Sequence, residues 1–332
     1  MELHLNENQI KKWVVRNADS LGLDESKLDV RYIYNPGGFV NQSYRVSDGQ
    51  TTLQIKLART EKAHRLKQWA SISEHLSTHY NVPKLIEVIT EEIIEGYTFG
   101  LVFNYIEGKS LSTLTNANPI IENVLHSLHH LHTDQAIQQM IRTDKQEYSY
   151  ADAFAQEYIS RFQEDLDIIR SQQHLLDFVT SDSITWFESE VEALEQLVRS
   201  TPSFQMKATD IVHNDINWEN VLVDNDNEFW IIDWDDLTGC GDAAMDYSVF
   251  LWTKYNKQEW PYWSERVLTL AGVELFERLE YYFRAKLLDN VIDLLADYIE
   301  ADNIPELKEI TQKRAKEIHL SAYSEYKRIY AR

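Results

Sequence analysis

His213-Asn-Asp-Ile-Asn-Trp-Glu-Asn220, followed by Ile231-Ile-Asp-Trp-Asp-Asp236, is the stretch that decides how the chain is read. Asp215 is followed five residues on by Asn220, then by the apolar run Val221–Val223, and Asp233 comes directly after the apolar pair Ile231–Ile232. Phosphoryl transfer needs this order: one carboxylate to orient a substrate hydroxyl, and an amide with a second carboxylate to hold Mg²⁺ on nucleotide phosphates. Asp215 falls in a loop ahead of a strand, where it can accept a hydrogen bond from an attacking hydroxyl. Asn220 offers a neutral oxygen ligand, which suits Mg²⁺ without overcharging the site. A lone Asp in a turn is ordinarily just solvated, and Asp-x4-Asn by itself says little. The ordered set between apolar strands is specific. His213 is expected to be structural, positioning the Asp215 loop through its ring nitrogens, and Trp218 and Trp234 to be packing residues.

Upstream, the pattern predicts a small antiparallel sheet. An amphipathic helix is expected over residues 6–21, from Ile10, Trp13, Val14 and Leu21. Val30, Tyr32 and Tyr34 then alternate, Pro36-Gly-Gly38 interrupts, and Tyr44 and Val46 resume. Asp48-Gly49 signals a hairpin into Leu53, Ile55 and Leu57. Lys56 sits on the face of that strand opposite the leucines and isoleucine, from which a lysine can reach phosphates. Adjacent glycines between strands let backbone N–H groups come close to a ligand, although such pairs are more often simple turns. A helix over 62–79 and strands at Leu85–Val88 and Tyr97–Tyr105 complete the β-rich part. Beyond Asn116 helices dominate, broken by short strands at Val221–Asp224 and Phe229–Ile232, with a strongly apolar helix over Leu275–Ile299. Three-glycine dinucleotide and Walker-type lysine motifs are absent from the sequence, which disfavours Rossmann and P-loop sites.

The totals are consistent with this. The chain has 332 residues, enough for two lobes, and its 43% apolar residues can fill a large core. A formal charge of −22 argues against nucleic acid as a partner and is compatible with a small cationic ligand. Cys240 is the only cysteine, so no internal disulfide can form. The start is polar and acidic and no apolar run reaches membrane-spanning length, so a cytoplasmic protein with no membrane partner is expected.

The same residues resemble the aminoglycoside phosphotransferase and choline kinase family, whose fold is protein-kinase-like, from about Val30 to about Phe283. The most specific match is His213–Asn220 together with Ile232-Asp-Trp-Asp-Asp-Leu-Thr-Gly-Cys-Gly-Asp-Ala-Ala-Met-Asp246. The resemblance implies that Asp215 is catalytic and that Asn220 and Asp233 bind Mg²⁺. It gives Gly241-Asp242 and Asp246 a structural role. It also implies that Gly37, Gly38, Asn41 and Tyr44 belong to the nucleotide loop, that Lys56 holds phosphates, and that Asn104, Tyr105 and Ile106 lie at the adenine hinge. One feature departs from the family. Where its members carry a Glu on the helix after the lysine, this chain has Gln68 or Trp69, with Glu61 and Glu74 outside the expected turn.

The expectation is therefore an α+β, two-lobed protein-kinase-like fold. Residues 1–105 would form a nucleotide-binding lobe with a small antiparallel sheet. Residues 106–332 would form a larger, mainly helical lobe with the catalytic loop, metal site and acceptor pocket. The expected activity is transfer of the γ-phosphate of ATP or GTP, with Mg²⁺, to a hydroxyl of a small cationic acceptor such as an aminoglycoside. Choline or another amino alcohol is the alternative, and a non-catalytic nucleotide-binding protein a further one. A protein acceptor is disfavoured, because only Leu237–Ala244 separates the metal carboxylate from the next matching segment. Glu157, Asp165 and Asp167, with Trp252, Tyr255, Trp260, Tyr262, Trp263 and Tyr281, are the side chains suited to a cation. The sequence does not specify the oligomeric state.

Overall fold

The computed structural model describes residues 2–33, 41–141, 148–303 and 308–330. Gly37 and Gly38 lie outside the described residues. The chain packs as two compact units. One comprises Met1–Ser127, Asp134–Arg142 and His213–Thr238; the other comprises Leu128–Thr133, Thr143–Val212 and Gly239–Arg332.

The first unit opens with α1 (Glu2–Arg16) and α2 (Ala18–Leu21), then strands β1 (Asp29–Ile33), β2 (Asn41–Ser47) and β3 (Thr52–Arg59). Helix α3 (Ala63–His79) leads to β4 (Leu85–Ile89) and β5 (Tyr97–Asn104). The five strands form one antiparallel sheet in the order β1-β2-β3-β5-β4. The single opening helix expected from the sequence is two, because Asn17 leaves the helical conformation between them. Ile10, Trp13, Val14 and Leu21 still pack with Val46, Leu53, Ile55 and Leu57 in one core. At the Asp48-Gly49 turn the Asp48 carboxylate accepts the N–H groups of Gln50 and Thr51 at 2.8 and 2.7 Å, and Gly49 takes φ 91°.

Helix α3 forms because Ala63, Leu66, Trp69, Ile72 and Leu76 recur at helical spacing and are all buried. Trp69 stacks on Phe103 of β5 with ring centroids 4.5 Å apart. The unit also holds the short strand β6 (Lys109–Ser110) and most of helix α4 (Asn118–His132), with α5 (Gln135–Met140) after it.

The second unit is mainly helical. Helices α6 (Tyr150–Phe154) and α7 (Ser160–Ser171) are joined by a π turn over Ala155–Ile159, and α8 (Ser181–Ser200) follows. Strand β7 (Asp210–Val212) precedes the quoted stretch, whose strands β8 (Val221–Val223) and β9 (Phe229–Ile231) pack with β6 in the first unit. After β10 (Thr238–Gly241) come α9 (Ala243–Phe250), α10 (Trp260–Glu300) and α11 (Lys308–Tyr330). Helix α10 breaks at Gly272, whose φ of 84° and ψ of 173° only glycine adopts readily.

Asp242 and Asp246 are structural, as the resemblance implies. Asp242 caps α9 through the Ala244 N–H, and both its oxygens accept from buried Arg278, at 2.7 and 3.0 Å. The Arg278 guanidinium also lies 3.7 Å from the centre of the Tyr150 ring. Asp246 binds His132 Nε2 at 3.0 Å. A second polar seam joins α7 and α10, where Asp289 accepts from Arg161 and, at 2.8 Å, from Lys286. Burial, opposed by Arg161 and reinforced by Asp289, pushes the Asp165 carboxyl up to about 6. Burial together with Asp289 and Asp297 pushes Asp293 up to about 7.

Two stability predictions follow from this unit. Asp242→Asn removes the countercharge of a buried guanidinium and should cost about 3–5 kcal/mol in urea unfolding. Asp165 and Asp293 keep protons in the folded chain at a pH where the unfolded chain has lost them. Their contribution to stability therefore falls as pH rises from the ordinary carboxylate range to about 7. Asp293→Asn should unfold at higher urea than the parent at pH 8, and by a clearly smaller margin at pH 5.

Candidate active site

Lys56 is the centre of the site. Its side chain is 7% exposed, and an ammonium group removed from water has to be paired. It donates to Asp233 Oδ1 and, at 2.6 Å, to Asp235 Oδ1. The other oxygen of Asp235 accepts from Asn41 Nδ2 of β2, also at 2.6 Å. Burial alone would raise the Asp235 carboxyl, but the charge and hydrogen bond of Lys56 outweigh it and hold the pKa below the ordinary value. Trp69 of α3 closes the remaining side, with its ring centre 5.5 Å from the Lys56 nitrogen.

The missing helix carboxylate is thereby accounted for. Gln68 does not replace it; its Nε2 donates to the Leu237 carbonyl at 2.6 Å. Arg65, one turn earlier, pairs with Asp236. Helix α3 thus grips the 3-10 turn Trp234–Asp236 that carries Asp235. Glu61 and Glu74 are exposed.

The quoted stretch is folded by its own side chains. His213 is fully buried, and its Nε2 faces the Ile232 carbonyl at 3.1 Å while the Asp215 N–H donates to its Nδ1 at 3.3 Å. The ring therefore spans the Asp215 loop and the residue before Asp233, which is the structural role expected for it. Asn214 and Asp233 both have φ of 69°, a region that Asn and Asp tolerate better than other side chains. Hydrogen bonds hold the backbone there: Asn214 Nδ2 donates to the Asp236 carbonyl at 2.8 Å, and the Ile232 N–H donates to the Asn220 carbonyl at 3.0 Å.

Asp215 and Asn220 are brought together. Asn220 Nδ2 donates to the Asp215 carbonyl at 2.7 Å and to its Oδ2 at 2.8 Å, and Asn217 Nδ2 donates to Oδ1 at 2.9 Å. Each carboxylate oxygen keeps a further lone pair, so Asp215 is oriented and can still accept a hydroxyl. Asn220 spends its amide hydrogens on Asp215, which leaves its oxygen as the atom that could ligate a metal. An amide oxygen and the Asp233 carboxylate are hard donors of the kind Mg²⁺ prefers. No group of three His, Cys, Asp or Glu side chains among the described residues could hold a metal alone. Two protein oxygens are nevertheless the usual complement for Mg²⁺ that completes its shell with phosphate and water.

Other expected positions differ in their surroundings. Asn104 ends β5, where its Oδ1 accepts from the Lys84 N–H, and the Tyr105 N–H donates to the Thr52 carbonyl at 3.1 Å. Tyr44 is fully buried in the sheet core and is not a loop ligand. The aromatic residues read as suited to a cation largely pack on one another. Tyr255 stacks on Phe283 at 3.9 Å with Trp260 edge-on at 5.3 Å, and Trp263 is buried. Asp165 is buried as well.

Sequence reasoning missed Asp235, Asn217, Arg65 and the contact of Asn41. The first two stand inside the quoted motif and were available as acidic or amide neighbours of the chosen residues. Arg65 gave no local signal.

The family model described as phosphotransferase enzyme family matches residues 32–282. The fold is also similar to several solved structures. The GDP complex of wild-type aminoglycoside 2′-phosphotransferase IIIa has a TM-score of 0.65 at 10% identity, with 96% of this chain and 99% of that chain covered. An ethanolamine kinase of Plasmodium vivax has a TM-score of 0.59 at 12% identity, covering 94% and 86%. A type I macrolide 2′-phosphotransferase has a TM-score of 0.57 at 15% identity, covering 92% and 96%. At such identities the likeness concerns the fold, which is α+β and protein-kinase-like as the sequence suggested. With the family model spanning most of its length, the chain belongs to the phosphotransferase enzyme family.

Proposed function

We propose that the chain is a small-molecule kinase that transfers the γ-phosphate of ATP or GTP to a hydroxyl of a small, cationic acceptor. The observation that carries this reading is the hydrogen-bonded set within one unit: Asp215 with Asn220, and Asp233 with Lys56. In this reading residues 1–105 hold the nucleotide and 106–332 supply the catalytic loop and acceptor pocket. Lys56 binds phosphate oxygens. Gly37, Gly38 and Asn41 form the nucleotide loop, and Asn104, Tyr105 and Ile106 the adenine hinge. A formal charge of −22 favours cationic acceptors by long-range attraction. The lone thiol of Cys240 suits the cytoplasm.

Asn220 and Asp233 would hold Mg²⁺, which when bound neutralises charge on the β- and γ-phosphates. Asp215 accepts the hydrogen of the acceptor hydroxyl and aims its oxygen at the γ-phosphorus. The new O–P bond forms as the bond to the β–γ bridging oxygen breaks, and the hydroxyl proton passes to Asp215. Asn217 and Asn220 keep the carboxylate in that orientation, so the geometry exists before the acceptor arrives.

The test is purified protein with ATP or GTP, Mg²⁺ and a panel of aminoglycosides, macrolides, sugars, choline and other amino alcohols, followed by mass spectrometry. A phosphorylated product is expected, and Asp215→Asn should lower its rate by about 10²-fold or more. Mg²⁺-dependent nucleotide binding without product from any compound would instead favour a binding protein. The absence of both nucleotide binding and product would sink the reading. Nucleotide should also raise the melting temperature only when Mg²⁺ is present. Asp233→Asn should remove that dependence on Mg²⁺, read by the same melting curves.

A further inference from the structure

We propose that Asp235 is the positioning residue for Lys56, supplying from the loop after β9 the carboxylate that helix α3 lacks. This rests on the reading of Lys56 as a phosphate-binding group. Among the described residues, two carboxylates bond to the Lys56 ammonium, those of Asp233 and Asp235. They are not equivalent. The Asp233 side chain is 28% exposed and, on the proposed reading, would also serve as a ligand of Mg²⁺. A cation drawing on that carboxylate weakens its hold on the lysine.

Asp235 is built differently. Its side chain is 10% exposed, and each of its oxygens has a partner, Lys56 on one and Asn41 Nδ2 on the other. The turn that carries it is fixed from α3 at two points, by Arg65 on Asp236 and by Gln68 on the Leu237 carbonyl. Trp234, at the head of the turn, is buried, and its Nε1 donates to the Ile231 carbonyl at 2.9 Å. A carboxylate held in this way keeps its place when Asp233 is drawn away, and it keeps the ammonium aimed. The role of α3 is thereby inverted: the helix contributes an arginine and an amide that hold the loop, and the loop contributes the acid.

The experiment uses the full chain as wild type, Asp235→Asn, Lys56→Met and the double variant, each checked for folding by circular dichroism. Wild type is first tested for MgATP binding, since failure there would overturn the phosphate-binding reading of Lys56 and not this inference. The nucleotide-free proteins are then treated with an amine-acylating reagent, and modification at residue 56 is followed by mass spectrometry. Asp235→Asn should expose the lysine and speed its acylation at least about fivefold. Hydrolysis of saturating MgATP without acceptor is measured next. Asp235→Asn should slow it about tenfold in the wild-type background and less than about twofold in the Lys56→Met background, as expected for two residues acting as one. Unchanged acylation of Lys56, or a full additional loss in the Lys56→Met background, would overturn the assignment. If Asp235→Asn does not fold, Asn41→Ala removes the tether of Asp235 and leaves both charges in place. It should speed acylation of Lys56 in the same direction, and no change there would also overturn the assignment.

Discussion

A lysine ammonium out of water is the constraint around which the first unit is arranged. An unpaired buried charge is too costly to persist, so the chain must bring carboxylates to Lys56 from a distant part of the sequence. The register of the sheet sets where the ammonium goes: Lys56 pairs with Ser43 on one side and Leu101 on the other. Next to it, Leu57 lies opposite Gly100, where a Cβ would collide with the Leu57 side chain and approach the Lys56 carbonyl at 3.0 Å. The absence of a side chain at residue 100 therefore lets β5 close against β3 beside the lysine. The opposing wall is the loop after β9, which α3 grips through Arg65 and Gln68.

The loop has a strain cost of its own. Asn214 and Asp233 are both in the left-handed region, which most side chains avoid, and each is held by bonds on both sides. His213 is the common point of attachment, because its two ring nitrogens serve the backbone of Asp215 and of Ile232. Residues that are ordinary in composition thus become over-determined in position. On the proposed reading that is what Asp215 needs in order to orient a hydroxyl, since the rate gain depends on geometry fixed before the acceptor binds.

What was legible in the sequence was what is local. Asp215, Asn220 and Asp233 lie within one short stretch between apolar strands, so their order could be read directly. The sheet could be read from alternation at Val30–Ile33 and Leu53–Leu57, and α3 from the spacing of Leu66, Trp69, Ile72 and Leu76. The partner of Lys56 could not, because the pair is separated by 179 positions and its acid sits in a run where any of three aspartates would serve. The π turn at Ala155–Ile159 was hidden too, since one extra residue barely disturbs an apolar periodicity. The aromatic residues between Trp252 and Tyr281 read as suited to a cation because composition reports their faces. It does not report that Tyr255, Trp260 and Phe283 occupy those faces with one another.

The chemistry of the acid run explains why a short loop can serve several ends. Asp233, Asp235 and Asp236 are consecutive or nearly so, yet they point to different partners: Lys56 shared by the first two, Asn41 on the second, Arg65 on the third. The left-handed backbone at Asp233 and the 3-10 turn Trp234–Asp236 that follows it aim the three carboxylates in different directions. One turn therefore sets the position of the lysine and, on the proposed reading, of the metal ligand as well. In an arrangement where the lysine depends on a helix, helix and loop can move independently and each must be placed. Here the two positions share one backbone segment, and a displacement of that segment moves both together. The backbone that anchors the lysine through Asp235 and the backbone that carries the proposed metal carboxylate are then one segment, whichever way the Asp233 side chain turns.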